Sequence, residues 1–303
     1  MPATALGRRP VVIVLAGALA IAFSGILYRY SDVSPSTGAF FRCFWALPPL
    51  WLLARLEDRR FGPRPRRARL LAWGAGAFFA ADLILWHNAI EQVGAGLATV
   101  LGNTQVVLVA VTAWVVLGEK PPRTALAAIP VVGLGVVLIS GVLEAGAYGA
   151  NPSLGALFGV LTGLAYSAFL LTLREGNRDL RRPAGPLFDA TLASAIGCAL
   201  YGTLAGDLDL TPTLGATGWL IVLALSSQVF GWLLISISLP RLPAALTSVM
   251  LTFQPLCAVL FAAILIDEEP SRLQFAGAAC ILAGLVIASL TRRPVPVAQP
   301  IQS

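Results

Sequence analysis

Ionisable residues are scarce in this chain of 303 residues, because only 12% are Asp, Glu, Lys or Arg, about half of what a soluble globular domain carries. A single histidine excludes the usual histidine-based zinc site. The cysteines at 43, 198, 257 and 280 are solitary within apolar stretches, which predicts neither a metal site nor a disulfide. No glycine-rich phosphate-binding motif ending in Lys occurs, so direct use of ATP is not indicated. We therefore predict no enzyme activity and no cofactor.

Apolar residues make up 57% of the chain and occur in long blocks instead of alternating with polar ones. A run of about 18 or more such residues predicts a membrane-spanning helix. Uncharged runs cover 11–27, 94–117, 124–143, 152–173, 210–240, 242–266 and 273–291, and spans with one or two ionisable groups cover roughly 36–54, 70–90 and 186–206. The predicted fold class is an all-α integral membrane protein with ten transmembrane helices in one membrane domain, 1–303.

The distribution of basic residues predicts the orientation in the membrane, because positive charge is retained on the cytoplasmic side. If the N-terminus is cytoplasmic, 18 of the 21 basic residues fall in cytoplasmic segments, seven of them in RLEDRRFGPRPRRAR at 55–69. We expect both termini in the cytoplasm and a disordered tail at 293–303. Twenty arginines to one lysine indicate a G+C-rich bacterial genome, an inference from codon usage alone. We expect a multi-pass protein of the bacterial inner membrane. The arginines are spread over short loops, so the net charge of +6 does not indicate nucleic-acid binding.

A charged turn marked by proline occurs twice, as GEKPPR at 118–123 and DEEPSR at 267–272. A shift of 149 residues (268 − 119) aligns Glu119 with Glu268 and Gln105 with Gln254 without a gap between 117 and 140. The pattern predicts two five-helix repeats, 1–149 and 150–292. Since five is odd, the second repeat enters the membrane inverted, as in many secondary transporters.

These features resemble the drug/metabolite transporter superfamily, EamA type. The resemblance is carried by Arg42 in the second span, by GLATV…GEKPPR, and by its echo ALTSVMLTFQPLCAVL…DEEPSR. Within that superfamily the chain is similar to the bacterial aromatic amino acid exporter branch. The resemblance implies a central cavity lined mainly by the first, third, fourth, sixth, eighth and ninth spans. One departure is Val106 in the fourth span, where the ninth has Pro255, so the two halves are expected to bend unequally.

Polar and aromatic residues at matching depths give the candidate substrate site. At about 1.5 Å per residue across a core of about 30 Å, several polar groups fall near the midplane, where each needs a partner, water or a ligand. Aromatic rings on the same helices could pack against an apolar or aromatic side chain of the substrate. The predicted substrate-binding residues are Asp82, Phe79, Trp86, Gln105, Tyr166, Gln228, Trp232, Gln254, Phe23 and Ser24.

Each of these polar residues also has a purely structural interpretation. Asp82 could neutralise Arg42 in an ion pair, or it could serve substrate or proton binding. His87 could relay protons, or it could be a satisfied histidine at the membrane interface. The three glutamines could join helices by hydrogen bonds. Asp189 could simply begin a helix near the cytoplasmic face.

The predicted function is secondary transport, namely export of small metabolites, with amino acids, aromatic ones included, as the favoured substrates. The alternatives are a multidrug or other metabolite effluxer of the same fold and, from other classes, a membrane-embedded enzyme or a channel. The expected partners are a small-molecule substrate and the lipid bilayer, and a homodimer is left open. Neither the coupling ion nor the net direction of transport follows from the sequence.

Overall fold

The computed structural model describes residues 3–118, 120–176, 179, 181–238 and 244–289, and every regular element in these ranges is helical. The elements in chain order are α1 Ala3–Ala22, α2 Ser24–Ser31, α3 Pro35–Phe44, α4 Leu47–Phe61, α5 Arg66–Val93, α6 Ala95–Gly102, α7 Gln105–Leu117, α8 Arg123–Ile139, α9 Pro152–Gly176, α10 Ala184–Ala205, α11 Leu214–Leu223, a π-helical segment Ala224–Gly231, α12 Trp232–Ser238, α13 Ala244–Leu265 and α14 Arg272–Ser289. The all-α prediction is confirmed over these residues.

Six helical stretches are long and apolar enough to cross a membrane. They are Val12–Ser31, Arg66–Val93, Ala95–Val116, Pro152–Gly176, Ala184–Ala205 and Leu214–Ile237. Three shorter apolar helices, Arg123–Ile139, Phe253–Leu265 and Arg272–Ala288, accompany them. Many large apolar side chains point outward, as lipid-facing residues do, among them Leu204 at 89% exposure. The chain is therefore a multi-pass membrane protein, while the count of ten spans stays a prediction.

Local chemistry explains where several helices begin. Ser34 precedes α3, and its hydroxyl accepts a hydrogen bond from the Thr37 backbone amide. Thr213 does the same for Ala216 at the start of α11. Both are standard N-caps, which satisfy amides that the first helical turn leaves free. At α10 the cap comes from a distant residue, because Glu57 accepts from the amides of Ala184 at 2.9 Å and Gly185 at 2.8 Å.

Close glycine contacts let pairs of helices approach each other. A Cβ at Gly135 of α8 would lie 2.6 Å from the carbonyl oxygen of Gly277 in α14. A Cβ at Gly76 of α5 would lie 2.4 Å from the carbonyl oxygen of Ala190 in α10. Such small residues at helix crossings are typical of membrane proteins, in which van der Waals packing drives helix association.

Several predictions fall on residues outside the described ranges. Glu119 of the first charged turn is among them, as is the tail 293–303 that was expected to be disordered. The proposed boundary between the two repeats, at 149/150, falls in the connection between α8 and α9.

Candidate functional site

Four helical stretches depart from regular α-helix within the apolar region. The departures are at Phe23 between α1 and α2, at 45–46 between α3 and α4, at 103–104 between α6 and α7, and in the π-helical segment. Gln105 is the eleventh of the 22 residues in Ala95–Val116, so the break before it lies at mid-span. Irregular backbone at membrane depth is tolerated where it is buried in protein or lines a cavity, and π-helical turns are frequent at functional sites.

The breaks have local causes. Ser24 donates its hydroxyl proton to the carbonyl of Ile21 at 2.6 Å, and the Asn103 amide donates to the carbonyl of Thr99 at 2.8 Å. Side-chain bonds of this kind compete with the backbone ladder and bend helices. The fourth and ninth spans, in which Val106 and Pro255 predict unequal bending, differ in helix continuity. The interruption falls beside Val106, whereas α13 is a continuous helix through Pro255.

Arg42 lies at the centre of a buried polar network that joins three helices. Its Nε donates a hydrogen bond to Oε1 of Gln228 at 3.2 Å. The Gln228 amide nitrogen in turn donates to the hydroxyl of Thr191 in α10 at 3.1 Å. Arg42 is 4% exposed, and Gln228 and Thr191 are fully buried. The π-helical segment thus places the side chain of Gln228 next to the guanidinium of Arg42 on α3. The hydrogen bond between them holds the guanidinium in one orientation.

The direct ion pair considered for Arg42 and Asp82 is not formed in the structure. No carboxylate–guanidinium contact within 4.0 Å joins them in the described part of the chain, and Arg42 bonds to Gln228 instead. Its guanidinium carbon also lies 5.5 Å from the ring centroid of Trp86, a cation–π arrangement. Asp82 remains close enough for electrostatic interaction with Arg42 and with Tyr166.

Polar atoms without partners accompany this network. Among the described residues, the terminal nitrogens of Arg42 and the carboxylate of Asp82 have no hydrogen-bond partner, and Asp82 is 7% exposed. The side-chain amides of Gln105 and Gln254 are likewise unbonded within the described ranges, one buried and one half-buried. None of these atoms is among the fully shielded, unbonded side-chain atoms of the described residues, so each keeps some contact with accessible space. Polar groups at membrane depth still require an explanation. A site filled by water or by a polar ligand supplies one.

Aromatic rings from three helices cluster beside Asp82. Phe79 stacks on Phe169 at 4.6 Å between centroids, Tyr166 stacks on Phe169 at 5.7 Å, and Trp232 meets Phe79 edge-on at 5.9 Å. We call Phe79, Tyr166, Phe169 and Trp232 the four-ring cluster. Phe169 was missed by sequence reasoning, although its position three residues after Tyr166 on a helix was an available signal. Thr191 was also missed, and no local pattern marks it.

The other predicted site residues are placed more loosely. Trp86 belongs to a neighbouring apolar cluster, against which Phe23 packs. Phe23 also stacks on Phe261 of α13 at 4.5 Å, so it contacts the second half of the chain. The Ser24 hydroxyl is used in the backbone contact described above. The structure therefore places Arg42 and Tyr166 within electrostatic range of Asp82 and joins Gln228 to Arg42. Phe23 and Ser24 lie at the break between α1 and α2.

His87 is wholly buried inside the protein. Its Nδ1 lies 2.7 Å from the carbonyl of Leu83, so Nδ1 carries the proton and donates it. The ring meets Tyr28 edge-on at 4.4 Å. Nε2 has no partner among the described residues. The tyrosine hydroxyl donates to Glu91 at 2.9 Å, toward the surface.

Asp189, considered as a residue that begins a helix, is part of an ion pair instead. Its carboxylate lies 2.8 Å from Arg64 and 3.7 Å from Arg69. Both arginines belong to the segment 55–69, so the pair fixes α10 to the start of α5.

A groove of about 630 Å³ lies on the other face of α5 from Asp82. It is lined by residues of α5, α9 and α10, including Ala77, Ala81, Phe158 and Tyr201. These α5 residues follow a 3–4 spacing that is offset from Phe79, Asp82 and Trp86. None of Arg42, Asp82, Gln228 and Thr191 lines this groove, so it is separate from the polar network.

An all-helical membrane protein with interrupted spans around buried, unbonded polar groups has the architecture of a membrane transporter. The chain belongs to the EamA-like transporter family, whose profile matches residues 8–141 and again residues 153–290. A solved crystal structure whose description states no function has a similar fold, with a TM-score of 0.61 over 93% of this chain and 97% of that chain. The identity of 15% makes this a likeness of fold alone. No curated protein matches the chain.

Proposed function

We propose that this protein is a secondary transporter that exports small metabolites, chiefly amino acids including aromatic ones, across the bacterial inner membrane by alternating access. The observation that carries the proposal is the pair of buried, oppositely charged side chains, Arg42 and Asp82, which are not bonded to each other and lie beside the four-ring cluster. Charges at this depth are costly, and transporters retain them for substrates and protons.

The charges favour a zwitterionic substrate. Arg42 keeps its terminal nitrogens unbonded in the described structure, and these nitrogens can bind a carboxylate by two parallel hydrogen bonds. Asp82 can accept hydrogen bonds from an ammonium group. Because the two side chains lie within electrostatic range of each other, one α-amino acid can engage both. A cationic drug would leave the arginine unpaired and repelled.

The aromatic rings favour an apolar or aromatic side chain on that substrate. Tyr166 is the half-buried member of the four-ring cluster, and it lies close to Asp82. A ring bound beside it can stack or meet it edge-on, an arrangement worth about 0.5–1.5 kcal/mol beyond the area buried. Gln105 and Gln254 supply amides for orientation.

Two inverted five-helix repeats would provide alternating access. The family profile matches the chain twice, and the 149-residue shift relates the two charged turns. With ten spans and both termini in the cytoplasm, the first turn faces inward and the second outward. The halves can then exchange shapes, so the site opens to one side at a time.

Reconstitution in liposomes tests the proposal. We expect saturable uptake of labelled amino acids, including phenylalanine or tryptophan, measured with and without an imposed proton gradient. The Asp82→Asn and Gln254→Ala variants should lose most of this uptake, because each removes a group that faces the substrate.

Asp32→Asn is the matched control. Asp32 is exposed at the end of α2 and has a left-handed backbone, φ 49°, which asparagine tolerates. This variant should transport normally. If all labelled amino acids pass no faster than through protein-free liposomes, the amino acid assignment is wrong. If uptake occurs but neither Asp82→Asn nor Gln254→Ala alters it, the site is wrong.

A further inference from the structure

Glu268 makes an unusual contact between the two halves of the chain. It lies in the connection between α13 and α14 and is 4% exposed. One carboxylate oxygen accepts a hydrogen bond from the backbone amide of Ala95 at 2.5 Å, and the other accepts from Gly96 at 3.0 Å. These are the first two residues of α6. The carboxylate therefore binds the free amides and the positive dipole end of a helix 173 residues away in sequence.

The surrounding backbone is shaped to admit this carboxylate. Gly94, just before α6, has φ +89°, and a Cβ there would lie 2.8 Å from the Glu268 carboxylate carbon. A Cβ at Gly96 would lie 3.0 Å from Cα of Val259 in α13. Glycine at both positions thus permits the carboxylate to reach the amides and allows α6 to pack closely on α13.

Two other bonds at the same end join α2 to α13 and to α5. The Tyr30 hydroxyl of α2 donates to the carbonyl of Leu265, the last residue of α13, at 2.9 Å. Arg29 of α2 pairs with Glu91 of α5 at 3.4 Å. Both contacts involve side chains that are more than a third exposed, so they contribute little by themselves. Glu268 provides the buried, charge-assisted contact of this end.

We infer that Glu268 is a latch that holds this end of the substrate cavity closed, and that it leaves the amides of Ala95 and Gly96 when the end opens. The inference rests on the proposed alternating-access function. The first half of α9 moves with α6, because Gly159 of α9 packs against Leu101 of α6. Opening therefore separates the α6–α9 pair from α13.

Spin-label distances test the latch. Leu157 of α9 and Ile264 of α13 are 54% and 71% exposed, so labels there report the separation with little disturbance of the core. The labels are placed on a chain whose four native cysteines are replaced, and double electron–electron resonance is recorded in lipid nanodiscs. The unsubstituted protein should show a predominant short distance. Glu268→Gln should raise the ratio of long to short distances about tenfold or more. Its NH2 group replaces one accepting oxygen, so one of the two backbone amides loses its acceptor and faces another donor.

Glu269→Gln is the matched control, because it removes the same charge from the exposed neighbouring residue. It should leave the distance distribution unchanged. Glu268→Asp keeps the charge but shortens the reach, and it should shift the ratio in the same direction as Glu268→Gln. Gel filtration confirms that each variant is folded.

If Glu268→Gln and Glu268→Asp both give the unsubstituted distribution, the contact is static packing and the latch is overturned. An equal shift in Glu268→Gln, Glu268→Asp and Glu269→Gln would also overturn the latch, because the effect would then not depend on the contact with Ala95 and Gly96. Amino acid uptake is a separate readout. A distance shift without any uptake would contradict the substrate assignment while supporting the latch.

Discussion

Arg42 Nε donates a hydrogen bond of 3.2 Å to Gln228 Oε1, and the arginine is only 4% exposed. The bond joins α3 to a π-helical segment, where regular backbone hydrogen bonding is already interrupted. Strained or irregular backbone is retained at functional sites when it positions a particular side chain. Here the irregular backbone positions the side chain of Gln228, and Gln228 in turn positions the guanidinium of Arg42.

Replacing Gln228 with Leu should therefore impair transport, because it releases the Arg42 guanidinium from its hydrogen-bonded position. Arg42 would lose its acceptor, and a charged donor left unbonded costs about 1.5–3 kcal/mol, equivalent to roughly a 10–100-fold loss of transport efficiency. The measurement is uptake into liposomes over a range of substrate concentrations.

Gln228→Glu is the informative companion to that variant. It preserves the acceptor but adds a negative charge, so it should capture Arg42 in an ion pair and also block transport. Gln228→Asn, with a shorter acceptor, should retain part of the activity. Full activity in Gln228→Leu would contradict a positioning role for the glutamine.

Substitution of the two central charges should separate their roles. Arg42→Lys keeps the positive charge but loses the bidentate geometry and the bond to Gln228 from Nε, so KM for amino acids should rise about tenfold or more. Asp82→Asn should impair uptake of amino acids more than uptake of the matching carboxylic acids that lack an amino group. Competition between labelled phenylalanine and phenylpropionate measures this difference. Equal losses for both compounds would argue against ammonium binding by Asp82.

The sequence predicted the helical class and much of the polar layer because both depend on local properties. Runs of apolar residues indicate spans, and depth along a helix follows from a fixed rise per residue. Asp82, Gln105 and Gln228 were assigned to the midplane in this way, and their role in substrate binding stays a prediction. The partner of a polar residue depends on tertiary contacts, so depth arithmetic suggested an Arg42–Asp82 pair where the structure has Arg42–Gln228.

Backbone irregularity was also beyond local prediction. The π-helical segment contains no proline, and its position depends on packing against other helices. Pro255, the conspicuous helix breaker, lies inside a continuous helix, while the broken span has Val106. The contact of Glu268 with Ala95 joins residues far apart in sequence, so the repeat drew attention to the glutamate without revealing its partner.

Labelling of the two charged turns should place them on opposite sides of the membrane. Lys120 and Glu269 are both exposed, so a single cysteine at either position can react without disturbing the core. A membrane-impermeant maleimide added to intact cells should label Glu269→Cys and not Lys120→Cys. After the cells are permeabilised, both should be labelled. Labelling of both positions in intact cells would exclude inverted repeats.

The same substitution at two nearby glycines should have opposite effects on stability. Gly135 faces α14, and a Cβ there would lie 2.6 Å from a backbone carbonyl oxygen and from Ile281, so Gly135→Ala should cost about 1–3 kcal/mol. Gly133 has no atom within 4 Å of its Cβ position, and Gly133→Ala should gain up to about 1 kcal/mol from helix propensity. Thermal unfolding of the purified protein in detergent measures both. Equal shifts of the two midpoints would contradict the packing of α8 on α14.

Closure of the Glu268 end should depend on pH. Burial raises the pKa of the Glu268 carboxyl above its ordinary value of 4.5, although the two backbone amides and Arg29 oppose the shift. Other charged or titratable groups at this end include Tyr30, Glu91, which pairs with Arg29, and Tyr148, which interacts with both Glu268 and Glu269. Glu144 accepts a hydrogen bond from Ser271 in the same connection. The closed end therefore binds a proton more readily than an open end, in which the carboxyl is exposed.

The pKa of Glu268 is higher in the closed form than in the open form, so acidification should favour the closed form. Above the raised pKa both forms are ionised and the balance is independent of pH. Between the raised value and 4.5, each fall in pH should increase the closed fraction, and below 4.5 the balance is level again. A protonated carboxyl still presents both oxygens to the amides of Ala95 and Gly96, unlike glutamine. The Leu157–Ile264 spin-label pair measures the closed fraction, and the slope should disappear in Glu268→Gln. A closed fraction that falls on acidification would show that the amides bind the carboxylate strongly enough to reverse the effect of burial.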